Sequence, residues 1–288
     1  MLRKEFPAAL FKLYPNNELS MPAIVYSSKD PAGFLIADQL RRNYSFEPRH
    51  SEERMWVGEN DAQMFELRKG LLEAEDLQID SDYIIFASKH SGKAGKPSLT
   101  VHPTGNWGQK AEFGGRPREV CYPQASAMKN ALLALAQVQH PGYDVSMEVT
   151  HHGPTSVLPP LYFIELGSTD EQWRDVAAAK AVGDAIMRAI TMEREKQFTQ
   201  VAFGIGGNHY APDFTKIELQ TDWAFGHILP AYALDEADED VMGQALEKSN
   251  AELIVLDWKG LSAPQREKAV KFADGAKVKW VKDDELKA

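Results

Sequence analysis

The chain has 288 residues and a formal net charge of -10, with 43% hydrophobic and 26% charged residues. A chain of this length and composition buries a sizeable core in a compact globular protein. No apolar stretch is long enough to span a membrane and the start lacks the features of a secretory signal, so we predict a cytoplasmic protein. The single cysteine excludes an internal disulfide, and the acidic total argues against generic nucleic-acid affinity.

Helical and strand patterns alternate along the chain, which predicts a layered α/β fold. Residues 1–20 show no consistent helix or strand pattern and are predicted to be an N-terminal extension without stable order. Residues 21–288 are predicted to form one domain with elaborated loops, and a smaller second lobe within it is the alternative. Ala23–Ser27 is a predicted strand, and Asp30 and Pro31 predict the start of a helix. The later predicted elements are strands over 83–88, 145–150, 161–166, 200–205, 253–256 and 278–281, and helices over 125–138, 168–190, 238–248 and 263–272.

Three apolar runs break into Gly, Pro, Asn and His, which predicts one polar site built at strand ends. The runs are Leu99–Trp107, Glu148–Thr155 and Val201–Asp213. If the second run stays extended through His152, Glu148 and His152 share one face of the strand. The carboxylate then orients the imidazole as a general base, and His209 reaches the same region if its strand lies alongside.

Metal binding and oxyanion binding both remain open from the residues alone. Zinc is commonly bound by histidine, but no established zinc spacing is present, and each histidine has a structural alternative as a hydrogen-bonded ring. The glycines in Gly204–Asn208 match neither a dinucleotide fingerprint nor a phosphate loop. Gly206 and Gly207 either present N–H groups to an oxyanion or permit a sharp turn. Six histidines lie near predicted strand ends: His90, His102, His151, His152, His209 and His227.

A basic segment stands out in this acidic chain. Between Ser88 and Arg118 the only acidic residue is Glu112, and the segment is too rich in Gly and Pro to predict regular structure. Phosphate contacts need such a local basic surface rather than a basic total, although a solvated loop explains the charges equally well. The basic residues are Lys89, Lys93, Lys96, Lys110, Arg116 and Arg118.

Seven runs of the chain are distinctive when they are taken together: Ser88–Ser91, Ser98–Asn106, Ala111–Glu119, Glu148–Thr155, Gly207–Pro212, Ala224–Ile228 and Asp257–Leu261. They resemble the archaeal and plant type of D-aminoacyl-tRNA deacylase. The resemblance extends from about Pro22 to the C-terminus, and residues 1–20 have no counterpart in it.

The resemblance implies hydrolysis of the ester that joins a D-amino acid to the terminal ribose of tRNA, which recycles tRNA and keeps D-residues out of translation. It also implies a three-layer α/β/α phosphorylase/hydrolase-like fold and zinc as the cofactor. Aminoacylated tRNA is the expected partner; no membrane association and no obligate protein partner are implied, and a monomer is compatible with the sequence.

The hydrolysis hypothesis gives each candidate residue an expected role. His152 or His209, directly or through bound zinc, activates a water, and Glu148 orients the base. Backbone N–H groups near Gly206 and Gly207 receive the oxyanion. Expected zinc ligands are His151, His152 and His209. Residues expected to contact the substrate in or near the pocket are His102, Thr104, Asn106, Asn208 and Tyr210, and those expected to hold the phosphates are Lys89, Lys93, Lys96, Arg116 and Arg118.

Two other functions fit the same residues. One is a zinc-dependent peptidase or amidohydrolase that acts on small substrates, for which the basic segment is incidental. The other is a non-catalytic RNA-binding module. Salt dependence separates them, because contacts to RNA phosphates weaken steeply as salt rises.

Overall fold

The computed structural model describes residues 21–49, 54–138 and 140–286, so the predicted extension over 1–20 lies outside the described residues. The strands are β1 (Pro22–Ser27), β2 (Glu47–Pro48), β3 (Met55–Val57), β4 (Gln63–Leu67), β5 (Tyr83–Ser91), β6 (Ser98–His102), β7 (Gly105–Asn106), β8 (Glu119–Val120), β9 (Asp144–Met147), β10 (Leu161–Ser168), β11 (Val201–Ile205), β12 (Ala224–Leu229), β13 (Leu253–Leu256) and β14 (Lys279–Lys282). The helices are α1 (Pro31–Asn43), α2 (Ala125–Val138), α3 (Asp170–Trp173), α4 (Val176–Glu195), α5 (Pro212–Gln220), α6 (Glu239–Ser249) and α7 (Ala263–Ala276).

These strands form two main sheets. The large sheet is mixed and has the order β2-β3-β4-β1-β5-β10-β6-β9, while the small sheet is parallel and has the order β12-β11-β13-β14. Helices α1, α2 and α4 pack on one face of the large sheet. Helices α6 and α7 cover one face of the small sheet, and α5 packs on the other. The predicted α/β class with layers of helices around a sheet is confirmed. None of the helices in this part of the chain is long and apolar enough to cross a membrane.

Local signals placed several elements correctly. Helix α2 has the bounds that its apolar spacing predicts, and α1 begins as expected because Asp30 accepts a hydrogen bond of 2.8 Å from the N–H of Gly33. The long helix predicted to run to Ile190 is instead two helices. Asp175 accepts from the N–H groups of Ala177 and Ala178 and so starts α4 as a separate helix.

Two predictions for the segments around the site are wrong. The basic segment does contain regular structure, because β5 continues to Ser91 and β6 and β7 follow it. Strand β9 ends at Met147 and not at Thr150, because the chain there leaves the large sheet for the small one. The N–H of Glu148 donates to the carbonyl of Val101 in β6, whereas the N–H of Thr150 donates to the carbonyl of Ile228 in β12. The segment after β9 therefore connects the two sheets.

Elements with weak local signals were not predicted at all. The short strands β2, β3, β4, β7 and β8 are too brief for periodicity to show. Helix α5 begins at a proline after Ala211, which adopts a positive φ of 41°, and β12 contains the polar and small residues Gly226 and His227. These elements depend on tertiary packing for their stability.

A buried lysine also connects the two sheets. Lys129 in α2 is fully buried, and its Nζ donates hydrogen bonds to the carbonyl oxygens of Glu218, Thr221 and Trp223. These three carbonyls lie at the end of α5 and just before β12. The lysine therefore satisfies carbonyl groups at a helix end that have no partner within the helix.

A buried glutamate in α4 makes the stability depend on pH. The Glu193 carboxylate is 2% exposed and accepts hydrogen bonds from Ser126 (2.7 Å) and Asn130 (2.6 Å) in α2. Burial raises the pKa of Glu193 to about 7, against the lowering effect of these two hydrogen bonds. A group whose pKa is raised on folding contributes stability at low pH that is lost as pH rises through the folded value.

We therefore expect Glu193→Gln to be more stable than the parent above pH 7, by up to about 3 kcal/mol, because one pKa unit corresponds to about 1.36 kcal/mol. Near pH 4.5 the two proteins should unfold with nearly equal free energies. Urea unfolding at pH 5 and pH 8 measures the difference, with the exposed Glu195→Gln of the same helix as control. An equal difference at both pH values would contradict this explanation.

Candidate active site

A cavity of about 900 Å³ lies where the two sheets meet. Its walls come from segments after β1, β5, β7, β11 and β12, so both sheets contribute. Its floor is formed by imidazoles and one carboxylate, because polar side chains that follow or end the strands converge there. These floor residues are His90, His151, His152, Glu165 and His209.

Three of the imidazoles form a first cluster in which the ring tautomers are set by the backbone. His102, His151 and His152 bring one nitrogen each to within 4.8 Å of the others. In each ring Nδ1 lies beside a backbone carbonyl oxygen. The distance is 3.1 Å from His102 to Pro103, 2.7 Å from His151 to Val149 and 2.7 Å from His152 to Gly153. Because a carbonyl only accepts, Nδ1 carries the proton, and Nε2 is left with the lone pair.

The charge state of His151 and His152 also favours lone pairs, whereas that of His102 does not. Burial and the neighbouring His102 lower the pKa of His152 to about 4 and hold the pKa of His151 well below its usual value. Burial lowers the pKa of His102 as well, but the Glu165 carboxylate more than offsets this and raises it. A metal ion bound here displaces such a proton, as imidazole ligands must be neutral.

A second cluster surrounds Glu148, which is fully buried. Its oxygens lie 2.9 Å from Nδ1 of His90, 3.0 Å from Nε2 of His209 and 3.5 Å from Nε2 of His151. Burial alone would raise the pKa of Glu148, but the surrounding imidazoles hold it well below its usual value. The hydroxyl of Tyr210 lies 3.0 Å from Nε2 of His90 and fixes that ring from its other side.

His90 also lies 3.4 Å from Glu165, so it contacts two carboxylates. Burial lowers the pKa of His90, but Glu148 and Glu165 together raise it to about 11. Burial raises the pKa of Glu165, but His102 and His90 outweigh this effect and lower the pKa to about 2. In the absence of a metal, His90 is therefore a cation that balances the two buried carboxylates.

The donor set fits a metal ion. Nε2 of His102 is buried and makes no hydrogen bond of regular geometry. Unsatisfied buried nitrogen and oxygen atoms are costly unless a ligand completes them. Three imidazole nitrogens with an open position toward a cavity are a common set for catalytic zinc, and the Nδ1 to carbonyl bonds supply the outer hydrogen bonds that such ligands need.

Comparison with known proteins identifies the family. The model of the D-aminoacyl-tRNA deacylase family matches residues 77–281. The chain belongs to this family. Among its relatives, the D-aminoacyl-tRNA deacylase of Archaeoglobus fulgidus is 36% identical over 93% of this chain and 98% of its own length. That of Methanocaldococcus jannaschii is 34% identical over 89% of this chain and 97% of its own length. The family predicted from the sequence runs is confirmed.

A solved structure supports the fold of this deacylase family member. The crystal structure of a conserved protein of unknown function is 36% identical to the chain and superposes with a TM-score of 0.86. The match covers 93% of this chain and 97% of that one. The overall fold of the chain therefore occurs in an experimental structure of a similar protein.

The structure changes two of the predicted groupings of site residues. Glu148 does not contact His152, because the chain turns at His152, where φ is 44°, and the carboxylate contacts His90, His151 and His209 instead. The predicted ligand set is altered in the same way, since His102 is the third ring beside His151 and His152, and His209 lies with Glu148 and His90.

The oxyanion role predicted for the glycines is wrong for Gly206. Its N–H donates to the carbonyl of Leu229 at 2.8 Å and is not available to a substrate. Gly207 does not line the cavity, and its carbonyl accepts from Ala231 at 3.1 Å. Both glycines have positive φ, 118° and 80°, so the alternative that they permit a sharp turn describes them better.

Most of the predicted substrate contacts prove to be supports of the site. Thr104 is buried and donates to the carbonyl of Pro154, and Asn208 accepts from the N–H of Tyr210 at 3.1 Å; neither lines the cavity. Asn106 does line it, and its amide holds the carbonyls of the following loop. His227, separate from both clusters, is held by Thr150 and a backbone carbonyl as a structural histidine.

The basic segment divides into two groups. Lys96, Arg116 and Arg118 do not line the cavity and pair with Asp144, Glu119 and Asp238 respectively. The predicted phosphate role for these three is therefore not supported. The lysines that do line the cavity make no ion pair with any acid in the described ranges: Lys29, Lys89, Lys93 and Lys110.

Two residues of the site were missed as functional residues in the sequence. His90 lies in β5 but two residues beyond the end of the predicted strand, and it was noted only as one of six histidines. Glu165 lies within a continuous apolar strand. The sequence did contain a signal for Glu165, because it is the one acidic residue in an apolar run that predicts a buried strand. A buried charge must have a partner, so such a residue indicates a polar site.

Proposed function

We propose that this chain hydrolyses the ester bond of D-aminoacyl-tRNA, releasing the free D-amino acid and tRNA. The observation that carries this proposal is the group of five imidazoles and two carboxylates at a cavity whose lining lysines are free of ion pairs, in a member of the D-aminoacyl-tRNA deacylase family. The lysines provide the positive surface that the phosphates of an RNA end require. A peptidase or amidohydrolase for small substrates would have no use for that surface.

In this proposal His102, His151 and His152 hold a zinc ion through Nε2. Zinc, when bound, supplies Lewis acidity toward an oxygen atom of the substrate or of water. The Nδ1 to carbonyl contacts of the three rings fix their orientation, so their lone pairs are aligned before the ion arrives. The side chains of His151 and His152 line the cavity, which leaves room for substrate beside the ligand atoms.

His209 is the general base of the proposal. Its side chain is 37% exposed and lines the cavity, while Nε2 lies 3.0 Å from the buried Glu148 carboxylate. That contact favours the proton on Nε2 and leaves the lone pair on Nδ1, where it accepts the proton of the attacking water. His90 and Tyr210 support Glu148 from the other side. The orienting role of Glu148 thus passes from His152 to His209.

The test compares hydrolysis of D-tyrosyl-tRNA and L-tyrosyl-tRNA, before and after chelation. We expect hydrolysis of the D substrate only, loss of the activity with the metal, and recovery when zinc is added back. His152→Ala should lose both zinc and activity, whereas His209→Ala should keep zinc and lose activity by about 10²-fold or more. Equal hydrolysis of both substrates would contradict the proposed function.

Two further measurements separate the alternatives. Turnover should fall steeply with salt if RNA phosphates are bound, whereas full activity on a short D-aminoacyl ester at high salt would favour the small-substrate hydrolase. Binding of tRNA without any hydrolysis would instead indicate an RNA-binding module.

The number of bound metal ions is a separate question. His90, Glu148 and His209 also bring three donor atoms together, and metal quantification decides whether they hold a second ion. A cytoplasmic location remains part of the proposal, and fractionation of cells tests it.

A further inference from the structure

Two aromatic rings project at the cavity from separate loops. Phe113 is 67% exposed and Tyr232 is 63% exposed, and both line the cavity. They are the most exposed of the large hydrophobic side chains in the described part of the chain. Isolated exposed hydrophobic residues are common, but two aromatic rings at one functional cavity are a feature of binding sites.

The loop that carries Phe113 is held rigidly against the catalytic segment. The N–H of Gly153, next to His152, donates to the carbonyl of Phe113 at 3.0 Å. A Cβ added to Gly153 would lie 2.1 Å from the nitrogen of Gly115, so the two backbones touch. Asn106 donates to the carbonyl of Gly114 at 2.9 Å. The ring is therefore presented by a backbone whose position is coupled to that of the imidazoles.

The loop that carries Tyr232 is also fixed. The N–H of Ala231 donates to the carbonyl of Gly207 at 3.1 Å, and the carbonyl of Ala231 accepts from Gln265 of α7 at 2.8 Å. On the other side of the tyrosine, the N–H of Ala233 donates to the carbonyl of Pro230 at 3.0 Å. The residue before Tyr232 and the residue after it are therefore both held by backbone hydrogen bonds. A fixed backbone lowers the entropy that is lost when a ligand stacks on the ring.

The charges around these rings fit the end of an RNA strand. Four lysines line the cavity, and the exposed acids among its lining residues are Glu112 and Glu236. Proteins bind single-stranded nucleic acid by combining cationic side chains, which hold phosphates, with aromatic rings, on which bases stack. Both components are present here within one cavity. The four lysines are Lys29, Lys89, Lys93 and Lys110.

We propose that Phe113 and Tyr232 form a stacking clamp for the terminal base of the tRNA, the base of the nucleotide that carries the aminoacyl ester. This inference rests on the proposed function and extends it to the RNA part of the substrate. Because the ester is on the terminal ribose, that base is the nearest one to the reacting carbonyl. Stacking of this base positions the ester over the imidazoles. The binding energy for that positioning therefore comes from the RNA and does not have to come from the amino acid.

The first test is kinetic. Phe113→Ala and Tyr232→Ala should each raise KM for D-tyrosyl-tRNA about ten-fold, as expected from the loss of base stacking, with kcat within about two-fold. Phe113→Trp should keep KM near that of the parent because a larger ring stacks equally well. Phe34→Ala is the matched control, since Phe34 is an exposed ring that does not line the cavity. An unchanged KM in both alanine variants would overturn the clamp.

The second test detects stacking directly. Uncharged tRNA with 2-aminopurine in place of its terminal adenine should lose fluorescence on binding to the parent protein and recover it in both alanine variants. Equal quenching in the parent and the variants would overturn the proposal. Failure of the clamp and failure of the function remain distinct: if the parent does not hydrolyse D-tyrosyl-tRNA, the function is wrong, whereas an active parent with unaffected variants disproves the clamp alone.

Discussion

Glu148→Gln is expected to lower the rate of D-aminoacyl-tRNA hydrolysis by about 10²–10⁴-fold, the usual contribution of a well-placed acid and base pair. Glutamine has almost the same shape but no charge, and its amide presents a donor group as well as an acceptor, so it no longer fixes the proton of His209 on Nε2 as the carboxylate does. It also leaves His90, which is buried between Glu148 and Glu165, with one carboxylate. The base then has neither its tautomer nor its electrostatic partner.

The measurement is the single-turnover rate on D-tyrosyl-tRNA, with zinc content and thermal unfolding recorded for the same preparation. Glu112→Gln is the matched control, because Glu112 lines the cavity but is exposed and makes no ion pair with an imidazole of the described residues. We expect that control to stay within about two-fold of the parent. A Glu148→Gln protein that is folded and within three-fold of the parent rate would refute the central role of this carboxylate.

Lys129→Met is expected to destabilise the protein by about 3–5 kcal/mol, the cost of removing one partner from a buried charged pair. Three carbonyl oxygens lose their donor, and the buried Glu218 loses the cation that opposes its desolvation. Burial raises the pKa of Glu218 to about 7 even with the lysine present. Removal of the lysine therefore leaves an acid that must either ionise without a partner or remain protonated.

Urea unfolding at pH 7 gives the free energy of unfolding for this variant. Lys180→Met is the control, since Lys180 is exposed and pairs with Asp184 at 2.7 Å within one helix, an ion pair worth less than about 1 kcal/mol. Combining Lys129→Met with Glu218→Gln should recover part of the loss, because the buried acid is then neutral. A loss below about 1 kcal/mol for Lys129→Met would show that the lysine does not hold the two sheets together.

Several features of the protein follow from the sequence by itself. Local rules set the bounds of α2, the cap of α1 by Asp30 and the core of each longer strand, because a helix or strand of that length displays its own periodicity. The runs that end in histidine likewise indicated one site: four of the six histidines line the cavity, and the buried His102 lies beside two of them. The helix and strand bounds depend on residues that are neighbours in the chain, and so does the position of each histidine at the end of its own run.

The tertiary structure alone decided which side chains act together. Glu148 contacts His90 and His209, which are distant from it on either side in the chain, and only the junction of the two sheets brings them together. The same packing added Glu165, took Gly206 out of the site and separated the free lysines from those paired with acids. Sequence spacing predicts which residues share a face of one element, but contacts between elements depend on how the sheets pack, and no local pattern encodes that packing.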